Sequence, residues 1–129
     1  MNTQKNHFEE LKFEKLDFSK KLLDKGEYEL CEFKDCDFGK ANLFEVVLTD
    51  CRFVGCNFNL ANISKTAFRK VKFKDCKLLG LHFDHCNPFL FEVNFENCNL
   101  NLSSFYQVKL KSTHFKKCTL HKQIFHPLI

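Results

Sequence analysis

The stretch Cys31-Glu32-Phe33-Lys34-Asp35-Cys36-Asp37-Phe38-Gly39-Lys40-Ala41-Asn42-Leu43 carries the rule of the whole chain. A large apolar residue returns every fifth position, at Phe33, Phe38 and Leu43, and a small residue stands two places before each, at Cys31, Cys36 and Ala41. Followed backwards, the series of centres reaches Phe8 through Tyr28, Leu23, Phe18 and Phe13. Followed forwards, it runs through Leu48, Phe53, Phe58, Ile63, Phe68, Phe73 and Leu78 to Phe83. Pro88 breaks it. Two residues later it resumes at Leu90 and continues through Phe95, Leu100, Phe105, Leu110, Phe115 and Leu120 to Phe125, which makes 24 centres in all.

A period of five excludes an amphipathic helix, because five residues turn a helix by about 500° and would smear the centres around it. Strand alternation fails as well, since a period of two cannot lock to five. A short extended piece followed by a turn does fit. Residues two apart then share a face, so each centre and the small residue before it both point inward. Repeated along the chain, this makes a solenoid with two stacked inward rows per wall.

The cysteines set the number of walls. Like residues stack in solenoids, and a lag of twenty joins Cys31 to Cys51, Cys36 to Cys56, Cys56 to Cys76 and Cys98 to Cys118. Cys76 and Cys98 join them once the two extra residues are allowed for. Lags of fifteen and twenty-five link fewer pairs. Twenty residues make one coil of four walls. One wall then stacks Phe13, Phe33, Phe53, Phe73, Phe95 and Phe115, and the next carries the column Cys36, Cys56, Cys76, Cys98 and Cys118. About six coils at roughly 4.8 Å per rung predict a rod some 30 Å long.

The composition agrees with one all-β domain over residues 1–129, with an insertion near 86–91. The 129 residues include 17 Phe and 8 Cys but only 4 Gly and no Trp, with 44% hydrophobic and 28% charged residues. That balance is globular. The sequence has no apolar run of the roughly 20 residues a membrane span needs. The start, Met1 to His7, lacks the apolar region of a secretory signal. Without an export signal, eight cysteines point to the reducing cytoplasm. A net charge of +4 without a concentrated basic patch does not mark direct nucleic-acid binding.

The triplets Cys36-Asp37-Phe38, Ala41-Asn42-Leu43, Cys56-Asn57-Phe58, Ala61-Asn62-Ile63 and Cys98-Asn99-Leu100 resemble the pentapeptide-repeat motif of a small residue, Asp or Asn, then Leu or Phe. The resemblance covers about Phe8 to Phe125. It implies a right-handed quadrilateral parallel β-helix. The best-understood members of the family are quinolone-resistance proteins that engage DNA gyrase or topoisomerase IV as negatively charged, rod-shaped mimics of duplex DNA, and that dimerise through a short C-terminal helix. The resemblance therefore implies a protein partner, with a type II topoisomerase as the first candidate.

Mimicry needs an acidic face, because a groove built for DNA is basic. Sorted by wall, the charges supply little of one. The wall of Phe13 is basic, with Lys12, Lys15, Lys34, Arg52, Lys72, Lys74, Lys116 and Lys117 against Glu14, Glu32, Asp35, Asp75 and Glu96. Only the early coils of the Phe8 wall are acidic, through Glu9, Glu10, Glu27, Glu29 and Asp50. The alternative reading is a structural scaffold that assembles end to end. Its basis is the stretch after Leu120, too short for a helix and cap, which would leave a bare apolar end unless two rods meet there or the natural C-terminus continues further.

The insertion is the other candidate for binding. Asn87-Pro88-Phe89-Leu90-Phe91 interrupts the count and takes Phe89 and Phe91 off the inward rows, as Phe44 is elsewhere, either as outward side chains or as a bulge whose aromatics fold back over the wall. On the four-wall arrangement, Phe44 and Tyr106 share a corner with them. Outward aromatics beside an irregular loop make binding anchors. The segment His82-Phe83-Asp84-His85-Cys86 offers metal-ligand chemistry through His82, His85 and Cys86, although surface histidines are the plainer reading and no metal or cofactor is expected. The glycines are isolated and the filled interior leaves no internal pocket, so the expectation is a binding protein and not an enzyme.

Overall fold

A computed structural model describes residues 6–122. It forms a quadrilateral parallel β-helix of about six coils. The first wall consists of β1 (His7–Glu9), β3 (Glu27–Glu29), β5 (Val47–Thr49) and β7 (Ala67–Arg69), paired in parallel in that order. The second consists of β2 (Lys12–Glu14), β4 (Glu32–Lys34), β6 (Arg52–Val54), β8 (Val71–Lys74), β9 (Val93–Glu96) and β10 (Thr113–Lys116). The third and fourth walls stack through single bridges, such as Asp37 to Asn57 and Asn42 to Asn62. The twenty-residue coil is therefore observed directly, for Phe13 pairs with Phe33, Phe33 with Phe53, and Phe53 with Phe73.

The corners explain the period. The residue two places after a centre takes the left-handed conformation, as at Lys15, Asp35, Asp75 and Lys117, with φ between 53° and 55°. Such a φ costs a non-glycine residue roughly 1–2 kcal/mol. Bonding between coils offsets that cost: the corner N–H of Asp35 donates to the Val54 carbonyl at 2.8 Å, and that of Lys15 to Lys34 at 2.9 Å. At one corner the residue is Gly55, where a side chain would collide with the Asp35 carboxylate. Where Asp or Asn precedes a centre, as at Asp37 and Asn62, it has its own task. Its carboxylate or amide oxygen accepts from the N–H two residues on, as Asp37 does from Gly39 at 2.8 Å and Asn62 from Ser64 at 2.9 Å, an Asx-turn that bends the chain.

The centres fill the interior. Phe13, Phe33, Phe53, Phe73, Phe95 and Phe115 stack face to face with ring centroids 4.6 to 5.5 Å apart. Around the corner, Phe53 meets Phe58 edge to face at 5.0 Å and 82°. Both geometries are favourable for aromatic pairs.

The second inward row needs more than small size. Cys56 Sγ lies 3.3 Å from the Phe33 carbonyl of the coil below and 3.6 Å from Val54 in its own coil. Cys36, Cys76, Cys98 and Cys118 repeat the arrangement. Thr66 donates to the Leu43 carbonyl at 2.6 Å and Ser103 to Leu78 at 2.7 Å from equivalent positions. A small side chain that can donate thus satisfies an inward carbonyl. All eight cysteines are free. Burial pushes the Cys51 and Cys86 thiols up to about 12. Hydrogen bonding with Cys56 and Cys98, together with burial, holds Cys76 well above the usual thiol range.

One expectation needs correction, at the first coil. Leu11 and Leu16 occupy the inward phase of the first coil yet are exposed, since few neighbours cover them there. Phe125 and most of the stretch after Leu120 lie outside the described residues, and so does the C-terminal end on which end-to-end assembly was expected.

Candidate protein-binding site

The insertion acts on one wall only. Asn87 still bridges Ala67 at a spacing of twenty, whereas Val93 pairs with Val71 at twenty-two. Residues 88–92 must therefore span the gap that 68–70 span in the coil below. Pro88, which has no N–H for the ladder, begins the detour, and Phe91 N–H closes it on the Pro88 carbonyl at 3.3 Å. The four-stranded sheet stops at β7, while the six-stranded sheet continues past the detour.

Here the five-residue count misassigns two side chains. Leu90, counted as a centre, is 64% exposed, with φ of 57°. Phe91, counted as outward, is 9% exposed and packs edge to face on Phe68 and Phe83. The large apolar space above Phe68 must be filled, and the detour delivers Phe91 to it rather than Leu90. Phe91 is thus a core residue and not a surface anchor.

Phe89 is outward, 62% exposed. The Arg69 guanidinium lies 5.3 Å from its ring centre. Arg69 Nε is itself buried and makes no hydrogen bond, so the cation rests on the ring. Phe89, Leu90, Pro88 and Tyr106 line an open cleft of about 780 Å³ with Phe91 and Phe83 deeper in, and Asp84, Lys109 and Lys111 add charge. The structure therefore brings Phe89 and Tyr106 together, and adds Leu90, which the count had placed inside, with Lys109 and Lys111, which were not expected at the binding corner. The break at Pro88 was the available signal: once the count fails, either of two frames places the next centre. Among the described residues the stacked centres pack the interior, and the cleft lies at the surface.

Phe44 does not join this group. It is half-buried, with the Lys25 and Lys65 ammonium groups 5.1 and 5.8 Å from its ring centre. Lys25 also donates to the Phe44 carbonyl at 2.7 Å. The ring serves as a rest for two cations, which covers much of it.

The acidic residues do gather. Glu9 and Glu29 are register partners on β1 and β3, Glu27 lies on the same strand as Glu29, and Glu10 and Asp50 occupy corners. His7 Nε2 sits 3.3 Å from Glu29 Oε1. Two coils further on, Arg69 follows Thr49 in the same column, so the negative face is short.

Stacked coils of this kind define a β-solenoid built on five-residue units. Residues 26–88 match the family model for the pentapeptide repeat region, and residues 90–122 match that for pentapeptide repeats. The chain belongs to the pentapeptide-repeat family. In structure it is similar to full-length QnrB1, a plasmid-mediated fluoroquinolone resistance protein: 16% identity over 92% of this chain and 71% of that one, with a TM-score of 0.54. A pentapeptide repeat protein from the Arabidopsis thaliana thylakoid lumen is 18% identical over 84% of this chain and 60% of that one, with a TM-score of 0.42. Among curated proteins none matches the chain.

Proposed function

We propose that the protein is a non-catalytic binding rod that docks a protein partner at the corner made by the insertion. One observation carries this reading: Phe89, Leu90 and Tyr106 are all exposed around a single cleft. Exposed aromatics on a rigid scaffold are the anchors on which binding energy concentrates. Arg69, Lys109 and Lys111 beside them outnumber Asp84, which suits a partner segment with an apolar side chain flanked by carboxylates. Eight free thiols suit the reducing cytoplasm.

The finer reading takes a type II topoisomerase as the partner, on the likeness in fold to QnrB1. The test is retention of purified DNA gyrase and topoisomerase IV on the immobilised protein, alongside quinolone inhibition with and without the protein. The expected result is retention and slower inhibition, both weakened at least tenfold by Phe89→Ala. Absence of both removes the topoisomerase. Retention unchanged by Phe89→Ala and Tyr106→Ala removes the corner as the docking site.

A second reading, end-to-end assembly, is favoured by the first coil. Exposed Leu11, Leu16 and Leu22 surround Phe8 and Phe13 in a hollow of about 320 Å³. Sedimentation that depends on protein concentration, and loses that dependence in Leu16→Glu, supports it. A concentration-independent monomer counts against it.

A further inference from the structure

Phe83–His85 forms a 3₁₀ turn, where the other coils make a plain corner. Side chains three apart eclipse in this geometry, and His82 and His85 accordingly stack with ring centres 4.9 Å apart and planes 12° from parallel. Asp84 faces both rings. Its Oδ1 lies 3.6 Å from His82 Nδ1, and its Oδ2 3.3 Å from His85 Nε2. One ligand atom from each residue falls within 4.8 Å of the other two. Asp84 Oδ1 is shut off from solvent yet makes no hydrogen bond. A buried carboxylate oxygen that accepts no hydrogen bond is costly, and a cation at this point would complete it.

We infer that His82, Asp84 and His85 bind one divalent transition-metal ion of the zinc class, through two imidazole nitrogens and one carboxylate oxygen, with water filling the open positions. Nitrogen donors favour such ions over calcium or magnesium. The spacing is suitable. Bonds of about 2.0–2.1 Å in a tetrahedral shell hold ligand atoms about 3.3 Å apart; His82 Nδ1 is 3.6 Å from Asp84 Oδ1, and His85 Nε2, now 3.3 Å from Oδ2, has to turn towards the same oxygen. The remaining closure needs rotation of two imidazoles whose side chains are 60% and 59% exposed.

Cys86, which the sequence grouped with these histidines, is excluded from the set. Its side chain is buried in the inward row, 8% exposed, and points away from a surface ion. Asp84 takes the third place instead. A second cluster, His7, Glu9 and Glu29, supplies the control, for its acidic atoms include no buried oxygen left without a partner.

The experiment uses the full chain without a histidine tag. Zn²⁺ is titrated by calorimetry, and Co²⁺ by visible absorption, which reports coordination geometry directly. The expected result is one equivalent bound and a Co²⁺ spectrum without thiolate charge transfer. His82→Ala and Asp84→Asn should each weaken binding at least tenfold, and Cys86→Ala and His7→Ala should leave it within twofold. Binding should also weaken in acid, since imidazole must be neutral to donate its lone pair. No binding at about 100 μM Zn²⁺, a thiolate band, or loss through His7→Ala but not His82→Ala would each overturn the assignment. Far-UV circular dichroism of each variant, matched to the parent, shows that lost binding is not lost folding.

Discussion

Replacing Phe53 by alanine tests the stacked core most directly. Its ring is 1% exposed and lies between Phe33 at 4.7 Å and Phe73 at 5.1 Å, with Phe38 and Phe58 edge-on at the corner. A buried aromatic removes about 150–250 Å² from water, which at about 25 cal/mol per Å² is about 4–6 kcal/mol. Alanine keeps part of that, and the loss of two stacked partners adds about 1–2 kcal/mol. An expected cost of about 4 kcal/mol results, within the range of about 3–5 for buried Phe→Ala changes. Against a total stability of about 5–15 kcal/mol, the rod should survive only marginally. Because each coil touches only its neighbours, the lesion also separates the two halves. Urea unfolding followed by far-UV circular dichroism suits a chain without tryptophan. Phe53→Leu should cost about 1–1.5 kcal/mol, and exposed Phe89→Ala less than about 0.5. A cost for Phe53→Ala below about 1.5 kcal/mol, or equal to that of Phe89→Ala, would refute the stacked column as the main support of the fold.

Two further outcomes concern polar and titrating groups in the interior. Ser103 is fully buried, accepts from the Leu81 N–H at 3.1 Å and donates to the Leu78 carbonyl at 2.7 Å. Ser103→Ala strands both groups and should cost about 2–4 kcal/mol in urea unfolding; a loss under about 0.5 kcal/mol would mean the hydroxyl only fills space. Stability should also fall in alkali. The Cys51 and Cys86 thiols ordinarily ionise near 9.0 but are pushed up to about 12 by burial, and Tyr28 is raised by burial and then by the Asp24 charge. The unfolded chain loses these protons first, so stability is complete below about pH 9 and declines from there towards 12. A urea midpoint unchanged between pH 8 and pH 11, or an equal decline in a Cys51→Ala, Cys86→Ala double variant, would contradict this origin.

The legibility of this chain follows from one-dimensional packing. A solenoid turns neighbourhood along the sequence into neighbourhood in space at a fixed interval. Phe33 predicts Phe53 by counting, as Cys56 predicts Cys76, and no long-range fold has to be guessed. The count fails where it has no authority. Between Asn87 and Val93, two frames are equally periodic, and the choice of Phe91 over Leu90 for the core depends on which ring can reach the space above Phe68. The sequence could mark the interruption at Pro88 but not assign its side chains.

The same division separates the sites. Sequence grouped His82 and His85 with Cys86 by adjacency, whereas the 3₁₀ turn places Asp84 between the rings while the inward row claims the thiol. Phe44 is outward by phase, yet its exposure depends on Lys25 and Lys65 of other coils. The amino-acid order alone determined the four-walled coil, its twenty-residue register and its stacked rows, because each follows from repetition of one local conformation. Only the tertiary structure decided the cleft, the metal-ligand set and the covering of single aromatics, because these form where the repetition stops and side chains compete for particular space.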